Sequence, residues 1–144
     1  MITPIDVKIA INTLLEKHFP KAPVISQDIE KGFQRPSMSV HFEDVKIESL
    51  GSQIEIGFDI FIYYFPELHN NDASVDLLDM QFQLPAVIGS HIVVADRVLH
   101  VNEPVSDVVD GVLVHQFTML FEQFNEINDP EKDAQSAKDL TINF

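Results

Sequence analysis

The stretch that decides the fold is residues 53–65, which read QIEIGFDIFIYYF after the pair Gly51-Ser52. Apolar side chains alternate along it, so a β-strand places on one face Ile54, Ile56, Phe58, Ile60, Ile62 and Tyr64. The opposite face begins polar and turns aromatic at Phe61, Tyr63 and Phe65. A strand that is apolar on both faces at one end predicts a covering layer there, either a helix of the same chain or a neighbouring subunit.

Strand patterns on either side extend this element into a sheet. Gly51-Ser52 predicts the tip of a hairpin that joins a strand at 45–50 to the strand at 53–65. Further strands are predicted at 38–42, 91–95, 98–101 and 112–124, with turns at Asp96-Arg97 and Asp110-Gly111. In the last strand the odd positions from Leu113 to Phe121 are the more apolar set.

Two segments have the three- and four-residue apolar spacing of amphipathic helices. The first begins at Thr3-Pro4, a capping hydroxyl followed by proline, and ends before Pro20. The second follows a cap at Asn71 or Asp72 and closes at Pro85 and Gly89. It carries two apolar stripes side by side, Val75, Leu78 and Phe82 next to Leu77, Met80 and Leu84.

The order helix, strands, helix, strands predicts an α+β fold, with one mixed or antiparallel sheet and both helices packed on one face. A chain of 144 residues suits one domain. We place this domain at residues 1–128 and a polar C-terminal tail at 129–144.

Charge is distributed unevenly along the chain. The 23 acidic and 9 basic side chains give a formal net charge of −14. Residues 47–131 hold fifteen acids and a single base, Arg97, whereas the flanking segments are neutral. This balance disfavours a phosphate-binding protein and docking on an anionic membrane. It indicates either a solubilising surface or a uniformly negative wall that a polyanion passes without binding.

Catalytic and metal-binding signals are lacking in the sequence. Cysteine is absent, which excludes disulfides, thiolate nucleophiles and cysteine-ligated metals. The five glycines are isolated and form no phosphate-binding loop, and the six histidines lack metal-site spacing. No apolar run is long enough to span a bilayer, and no signal peptide is evident. We therefore expect a soluble, intracellular protein that is not an enzyme and has no cofactor and no metal.

Three segments are candidates for protein–protein contacts. The turn that contains Phe33, Arg35 and Pro36 precedes a strand, and arginine suits bidentate docking to a carboxylate on another subunit. The aromatic strip Phe61, Tyr63 and Phe65 is either core or an interface anchor. The tail ends with Leu140, Ile142 and Phe144 at strand spacing. It is either disordered or adds a strand to a neighbour's sheet.

Two segments resemble the phage tail terminator proteins found in prophages of Gram-positive bacteria. KGFQRPSMSV at 31–40 is similar to the family's "QGF-x-RP" element, and DRVLHVNEPVSDVVDGVLVHQFTMLF at 96–121 is similar to its "DR-x-L…DGVLH" ending. Val114 stands before His115 where the family pattern has the histidine directly after Leu113.

The resemblance implies a structural protein of the virion tail, assembled in the cytoplasm of a bacterial host. Such a protein forms a hexameric ring that caps the head-proximal end of the tail tube and offers a surface to the head connector. DNA would pass through the ring without specific binding, and Asp107 and Asp110 are candidates for its acidic lumen or for a partner of Arg35.

Two other readings stay open at this point. A head–tail joining protein of similar size would bind the portal-side ring rather than the tube. A small ligand- or peptide-binding module of a host cell would act as a monomer.

Overall fold

A computed structural model describes residues 1–25, 34–68 and 73–125, which form two helices and six strands. The helices are α1 (Pro4–His18) and α2 (Ala73–Ile88). The strands are β1 (Ser37–Leu50), β2 (Gln53–Phe65), β3 (His91–Val94), β4 (Arg97–His100), β5 (Asn102–Val109) and β6 (Val112–Phe124). The α+β class is confirmed.

Four of the described strands form an antiparallel sheet in the order β1-β2-β6-β5. Its two tight turns are those expected from the sequence. In the β1–β2 turn, Gly51 has a φ of 77°. In the β5–β6 turn, Asp110 and Gly111 have φ values of 52° and 75°. Positive φ at both central residues of the β5–β6 turn is typical of a type I′ turn, which follows the twist of the flanking strands and favours Asp-Gly.

β3 and β4 form a small two-stranded sheet beside the main antiparallel sheet. This hairpin turns at Ala95 and Asp96, one residue earlier than predicted, and Ala95 has a φ of 55°. Ile92, Val94 and Leu99 are buried in the common core, whereas Val93 and Val98 face outward. The hairpin thus closes one side of the core without joining the main sheet.

β1 is a single long strand where the sequence predicted two short ones. The register shifts between Glu43 and Lys46, and Asp44 has a φ of 52°. Such a bulge leaves β1 paired with β2 on both sides, but it bends β1 and increases its local twist. Residues 43–50 are all exposed, so this half of β1 extends beyond the packed core.

The core lies between the helices and one face of the sheet. Val7, Ile11 and Leu15 of α1 are fully buried beside the even-numbered apolar side chains of β2. Thr3 caps α1 as predicted: its backbone N–H donates to Asp6 Oδ2 at 2.9 Å, and the Asp6 N–H donates to Thr3 Oγ1 at 3.3 Å. Both helices therefore cover the same face of the sheet.

The sequence predicted that α2 closes at Pro85 and Gly89; the helix continues through Pro85 and ends at Ile88, directly before Gly89. Proline removes one backbone donor from a helix interior. Burial of Leu84 and Ile88 on either side holds the last turn in place, and the Gly89 N–H donates to the Pro85 carbonyl at 2.8 Å. Tertiary packing thus outweighs the intrinsic helix-breaking tendency.

His115 of β6 is the most deeply buried titratable side chain of the core, with 1% exposure. Its Nδ1 lies 2.8 Å from Ser106 Oγ of β5, and its Nε2 has no hydrogen-bond partner among the described residues. Burial lowers the pKa of His115 to about 4, because the charged imidazolium is poorly solvated there.

The His115 pKa predicts a loss of stability in mild acid. Between the unfolded pKa of about 6.5 and the folded pKa of about 4, the unfolded chain binds more protons, so stability falls as pH falls. At pH 5 this linkage costs about 2 kcal/mol. Urea unfolding of the wild type and of His115→Gln at pH 7.5 and pH 5 measures it, with a smaller acid loss expected for the variant. An equal acid loss in both proteins would contradict the assignment.

Candidate assembly surfaces

The face of the sheet opposite the helices carries the aromatic strip of β2. Phe61, Tyr63 and Phe65 stack in sequence, with ring centroids 6.5 and 6.3 Å apart and interplanar angles of 18° and 16°. His41 of β1 meets Tyr63 edge-on at 5.1 Å. None of these three aromatic residues belongs to the core cluster that the described residues form with the helices. The strip therefore lies on the sheet face that no described helix covers, with Phe61 and Tyr63 half-buried and Phe65 buried.

A groove of about 630 Å³ runs along this face between β1, β2 and the β5–β6 turn. It is lined by His41, Glu43, Tyr63, Phe65, Val109, Asp110, Val112 and Val114. We call it the aromatic groove. Its floor is apolar and its acidic side chains lie at the rim, so its chemistry suits an apolar protein surface rather than a charged ligand.

Two contacts hold His41 at the edge of this groove. Its Nε2 lies 2.8 Å from Ser39 Oγ. Its ring meets Tyr63 edge-on. The pKa of His41 is lowered, chiefly by burial and secondarily by the positive charge of Lys8.

Arg35 and Pro36 lie at the end of the strip and are joined by a cis peptide bond. The Arg35 guanidinium lies over the Phe65 ring, 5.6 Å from its centroid, and Nη1 donates to the Pro66 carbonyl at 3.2 Å. Arg35 is thus held within its own chain by the aromatic strip. The contact across a subunit boundary, expected from the sequence, stays a prediction.

Pro36 faces a second cleft, of about 450 Å³, on the helix side of the sheet. Here the Tyr64 hydroxyl donates to Asp76 Oδ2 at 2.6 Å, which joins β2 to the first turn of α2. Burial, together with this hydrogen bond, raises the pKa of Tyr64. Because Asp76 is engaged with a buried phenol, the pair serves packing rather than proton transfer. Among the described residues no group of three or more His, Asp or Glu side chains is placed to hold a metal ion.

The two aspartates expected in an acidic lumen lie near the β5–β6 turn. Asp107 is exposed, and its Oδ1 accepts from the Val108 N–H at 2.9 Å. Asp110 occupies the turn itself and lines the rim of the aromatic groove. The structure thus brings Asp110 next to Tyr63 and Phe65, which lie more than forty residues earlier in the sequence.

A row of glutamates that the sequence reading missed crosses the same face of the sheet near the β1–β2 hairpin. Glu48 lies directly opposite Glu55, and Glu55 lies directly opposite Glu122. Like charges opposite each other on neighbouring strands are destabilising. The register, which the sequence alone does not specify for β6, is what brings the three together.

α2 presents an apolar stripe to the outside of the molecule. Val75, Leu78 and Phe82 are 64%, 69% and 77% exposed, while Leu77, Met80, Leu84 and Ile88 are buried. The three exposed residues recur at i, i+3 and i+7 and so share one side of the helix. We call them the outward stripe. The sequence showed both stripes of α2 but not which one the core would take.

Four predicted contact residues lie outside the described residues. These are Phe33 and the tail residues Leu140, Ile142 and Phe144.

None of the helices in the described part of the chain has the length and apolar character needed to cross a bilayer. A sheet with an uncovered aromatic face, a helix with an outward apolar stripe and a strongly acidic surface define a protein built to contact other proteins.

Comparison with known proteins specifies this class. The sequence matches the family described as "Phage tail terminator protein" over residues 6–133. The match covers most of the chain, so this protein belongs to the phage tail terminator family. Its role is accordingly structural, in tail assembly, as a component of the virion tail that interacts with other tail proteins. The predicted family is confirmed.

Two further comparisons add little. No curated protein matches the sequence. One solved structure is similar over 87% of this chain and 99% of its own length, at 11% identity and a TM-score of 0.37. At this TM-score and sequence identity, the similarity does not support any conclusion about function.

Replacing Arg35 tests what its contacts contribute. We expect Arg35→Ala to lower the free energy of unfolding by about 1 kcal/mol, because a cation–π contact and a hydrogen bond are lost. Arg97→Ala is the matched control, since Arg97 lies 5.5 Å over the Phe121 ring. If Arg35 also contacts a neighbouring subunit, Arg35→Ala weakens assembly more than Arg97→Ala does. Thermal denaturation and sedimentation together measure both effects, and equal assembly of the two variants would exclude the subunit contact.

Proposed function

We propose that this protein forms a hexameric ring on the head-proximal end of a phage tail tube. The ring stops polymerisation of the tube and presents a surface to the head connector. DNA passes through it without specific binding. The proposal includes assembly of the ring in the host cytoplasm.

The observation that carries this proposal is a pair of unlike apolar surfaces on opposite sides of the subunit. One is the aromatic groove on the free face of the sheet, and the other is the outward stripe of α2. A closed ring of identical subunits uses heterologous contacts, so each subunit needs two different complementary patches. A monomeric binding module has no use for two such surfaces.

A third exposed apolar region suits an axial contact with the tube. At the end of the β1–β2 hairpin, Leu50 and Phe124 flank Gln53 on neighbouring strands, with 45% and 54% exposure. This end of the sheet extends beyond the helices, where β1 is exposed from Glu43 to Leu50. A projecting hairpin reaches a neighbour along the ring axis while the two lateral surfaces stay available.

The acidic side chains support passage of DNA rather than binding. Glu48, Glu55 and Glu122 align across three strands, with Lys46 two residues from Glu48 on the same face and Arg97 lining one pocket with Glu55 and Glu122. A wall of uniform negative charge does not hold phosphate, because binding needs Lys or Arg to release counterions. We assign the lumen or its rim to this row and to Asp107 and Asp110.

The segments outside the described residues complete the proposed interfaces. We assign Phe33, with Arg35 and Pro36, to a subunit contact. Leu140, Ile142 and Phe144 are assigned to a strand that pairs with a sheet edge of a neighbouring subunit, since β1 and β5 are the edges of the four-stranded sheet in the described chain.

Native mass spectrometry of the purified protein, alone and mixed with tail tube subunits, tests the function. We expect a species of six copies, free or bound to the tube, and tubes of limited length when the protein is present during their assembly. A protein that stays monomeric with the tube subunits and leaves tube length unchanged would contradict the proposal. Binding to the portal-side ring but not to the tube would instead favour a head–tail joining protein.

Neutralising the glutamate row tests its effect on stability separately from its effect on DNA retention. We expect Glu55→Gln to raise the free energy of unfolding by up to about 1 kcal/mol at low salt, because two repulsive cross-strand pairs are relieved. The gain shrinks as salt screens the charges. The triple variant with Glu48→Gln and Glu122→Gln should retain more DNA in a low-salt mobility-shift assay than wild type does. The control for net charge is a triple variant of exposed acids outside the row, with Glu16→Gln, Glu67→Gln and Asp96→Asn. Equal DNA retention by this control would remove the row from the lumen.

A further inference from the structure

The aromatic groove and the outward stripe are two apolar surfaces that no described residue of the same chain covers. We propose that they bind each other between copies: Val75, Leu78 and Phe82 of one subunit pack into the aromatic groove of the next. This inference rests on the proposed ring and names the contact between its subunits.

The placement of the two surfaces requires a head-to-tail contact. α2 covers the face of the sheet that is formed by the even-numbered side chains of β2, whereas the groove lies on the face of Tyr63 and Phe65. The sheet therefore separates the two surfaces, and they meet only between different copies. Each copy then offers one stripe and one groove, which is the stoichiometry that a closed ring uses completely.

The chemistry of the two surfaces is complementary. The stripe is a convex row of one Val, one Leu and one Phe on a helix, and the groove is a concave sheet surface floored by aromatic rings and valines. Helix-on-sheet packing is the layer arrangement by which α+β proteins bury a sheet face. In this chain only one face is covered that way among the described residues, and a neighbour's α2 would complete the other.

The size of the contact indicates a weak pairwise association. α2 has 16 residues and is about 24 Å long, and a helix is about 10 Å wide. One stripe therefore buries a few hundred Å² per partner, below the roughly 800 Å² of a standard stable interface. Closure of the ring, where every copy makes two such contacts, provides the additional stability.

Charge disfavours nucleic acid or an anionic membrane as the occupant of the groove. The rim of the groove carries Glu43 and Asp110, and the stripe is flanked by Asp79. Among the residues that the structure describes, His41 is the one basic side chain that lines the groove, and the Arg35 guanidinium lies over the Phe65 ring, where Nη1 donates to the Pro66 carbonyl. The apolar contact is thus opposed by like charges, so higher ionic strength strengthens it, whereas an ion-paired interface would weaken.

Because the wild type has no cysteine, single cysteines report the contact directly. The variants are Leu78→Cys on the stripe and Val114→Cys in the groove, mixed at equal concentration and treated with a short bis-maleimide. We expect the mixed pair to cross-link about tenfold faster than either variant alone. We also expect the rate to rise between low and high salt. The matched control replaces Leu78→Cys with Val98→Cys, an apolar position on the β3–β4 hairpin that is 53% exposed, compared with 69% for Leu78.

A complementation experiment checks the result without cross-linking. Phe82→Glu removes the stripe and Val114→Asp removes the groove, so each variant alone should be monomeric. A mixture should form a one-to-one dimer and stop there, since one intact stripe meets one intact groove. Circular dichroism checks that each variant is folded. If Val114→Asp does not fold, the cross-linking of the cysteine variants tests the contact instead.

The outcomes separate this contact from the proposed function. Equal cross-linking in the mixed pair and the control pair would overturn the contact, even if the wild type forms rings of six. Fast cross-linking with closed species other than six would support the contact and refute the hexamer. Faster cross-linking of Leu78→Cys to itself would indicate a symmetric helix–helix dimer. Cross-linking of Val114→Cys to tube subunits instead would place the tube protein in the groove. Both of these results overturn the proposal.

Discussion

The alternation of side chains along β2 is the constraint on which the rest of the structure depends. Because successive residues of a strand point to opposite faces, the even positions from Ile56 to Tyr64 enter the core, and Phe61, Tyr63 and Phe65 must face away from it. A shift of register by one residue would exchange the two sets. The central position of β2 between β1 and β6 holds that register by hydrogen bonds on both edges.

No described helix covers the second face of the sheet, and the composition of that face is uneven. Here the face is aromatic at one end and acidic at the other, with Glu48, Glu55 and Glu122 aligned across three strands. The aromatic end favours association with protein, and the acidic end keeps phosphate away. The two properties fit a tail terminator, which contacts other tail proteins.

The intramolecular contacts of Arg35 hold one end of the aromatic strip in place. The Arg35 guanidinium covers the last ring of the strip, and its Nη1 donates to the Pro66 carbonyl. Tyr64 on the other face is fixed to α2 through Asp76. A preorganised surface loses less conformational freedom on binding, which strengthens a small interface.

The sequence by itself determined the local features, namely the cap of α1, the hairpin turns at Gly51 and Asp110-Gly111, the buried face of β2 and the absence of cysteine chemistry. These follow from residues close together in the chain, whose turn chemistry and periodicity need no distant partner. Only the tertiary structure decided that α2 continues through Pro85, that β3 and β4 form their own sheet, and which stripe of α2 is buried. It also placed Asp110 beside Tyr63 and aligned the glutamates. Each of these depends on packing or register between segments that are distant in sequence, and a local sequence pattern does not predict such contacts.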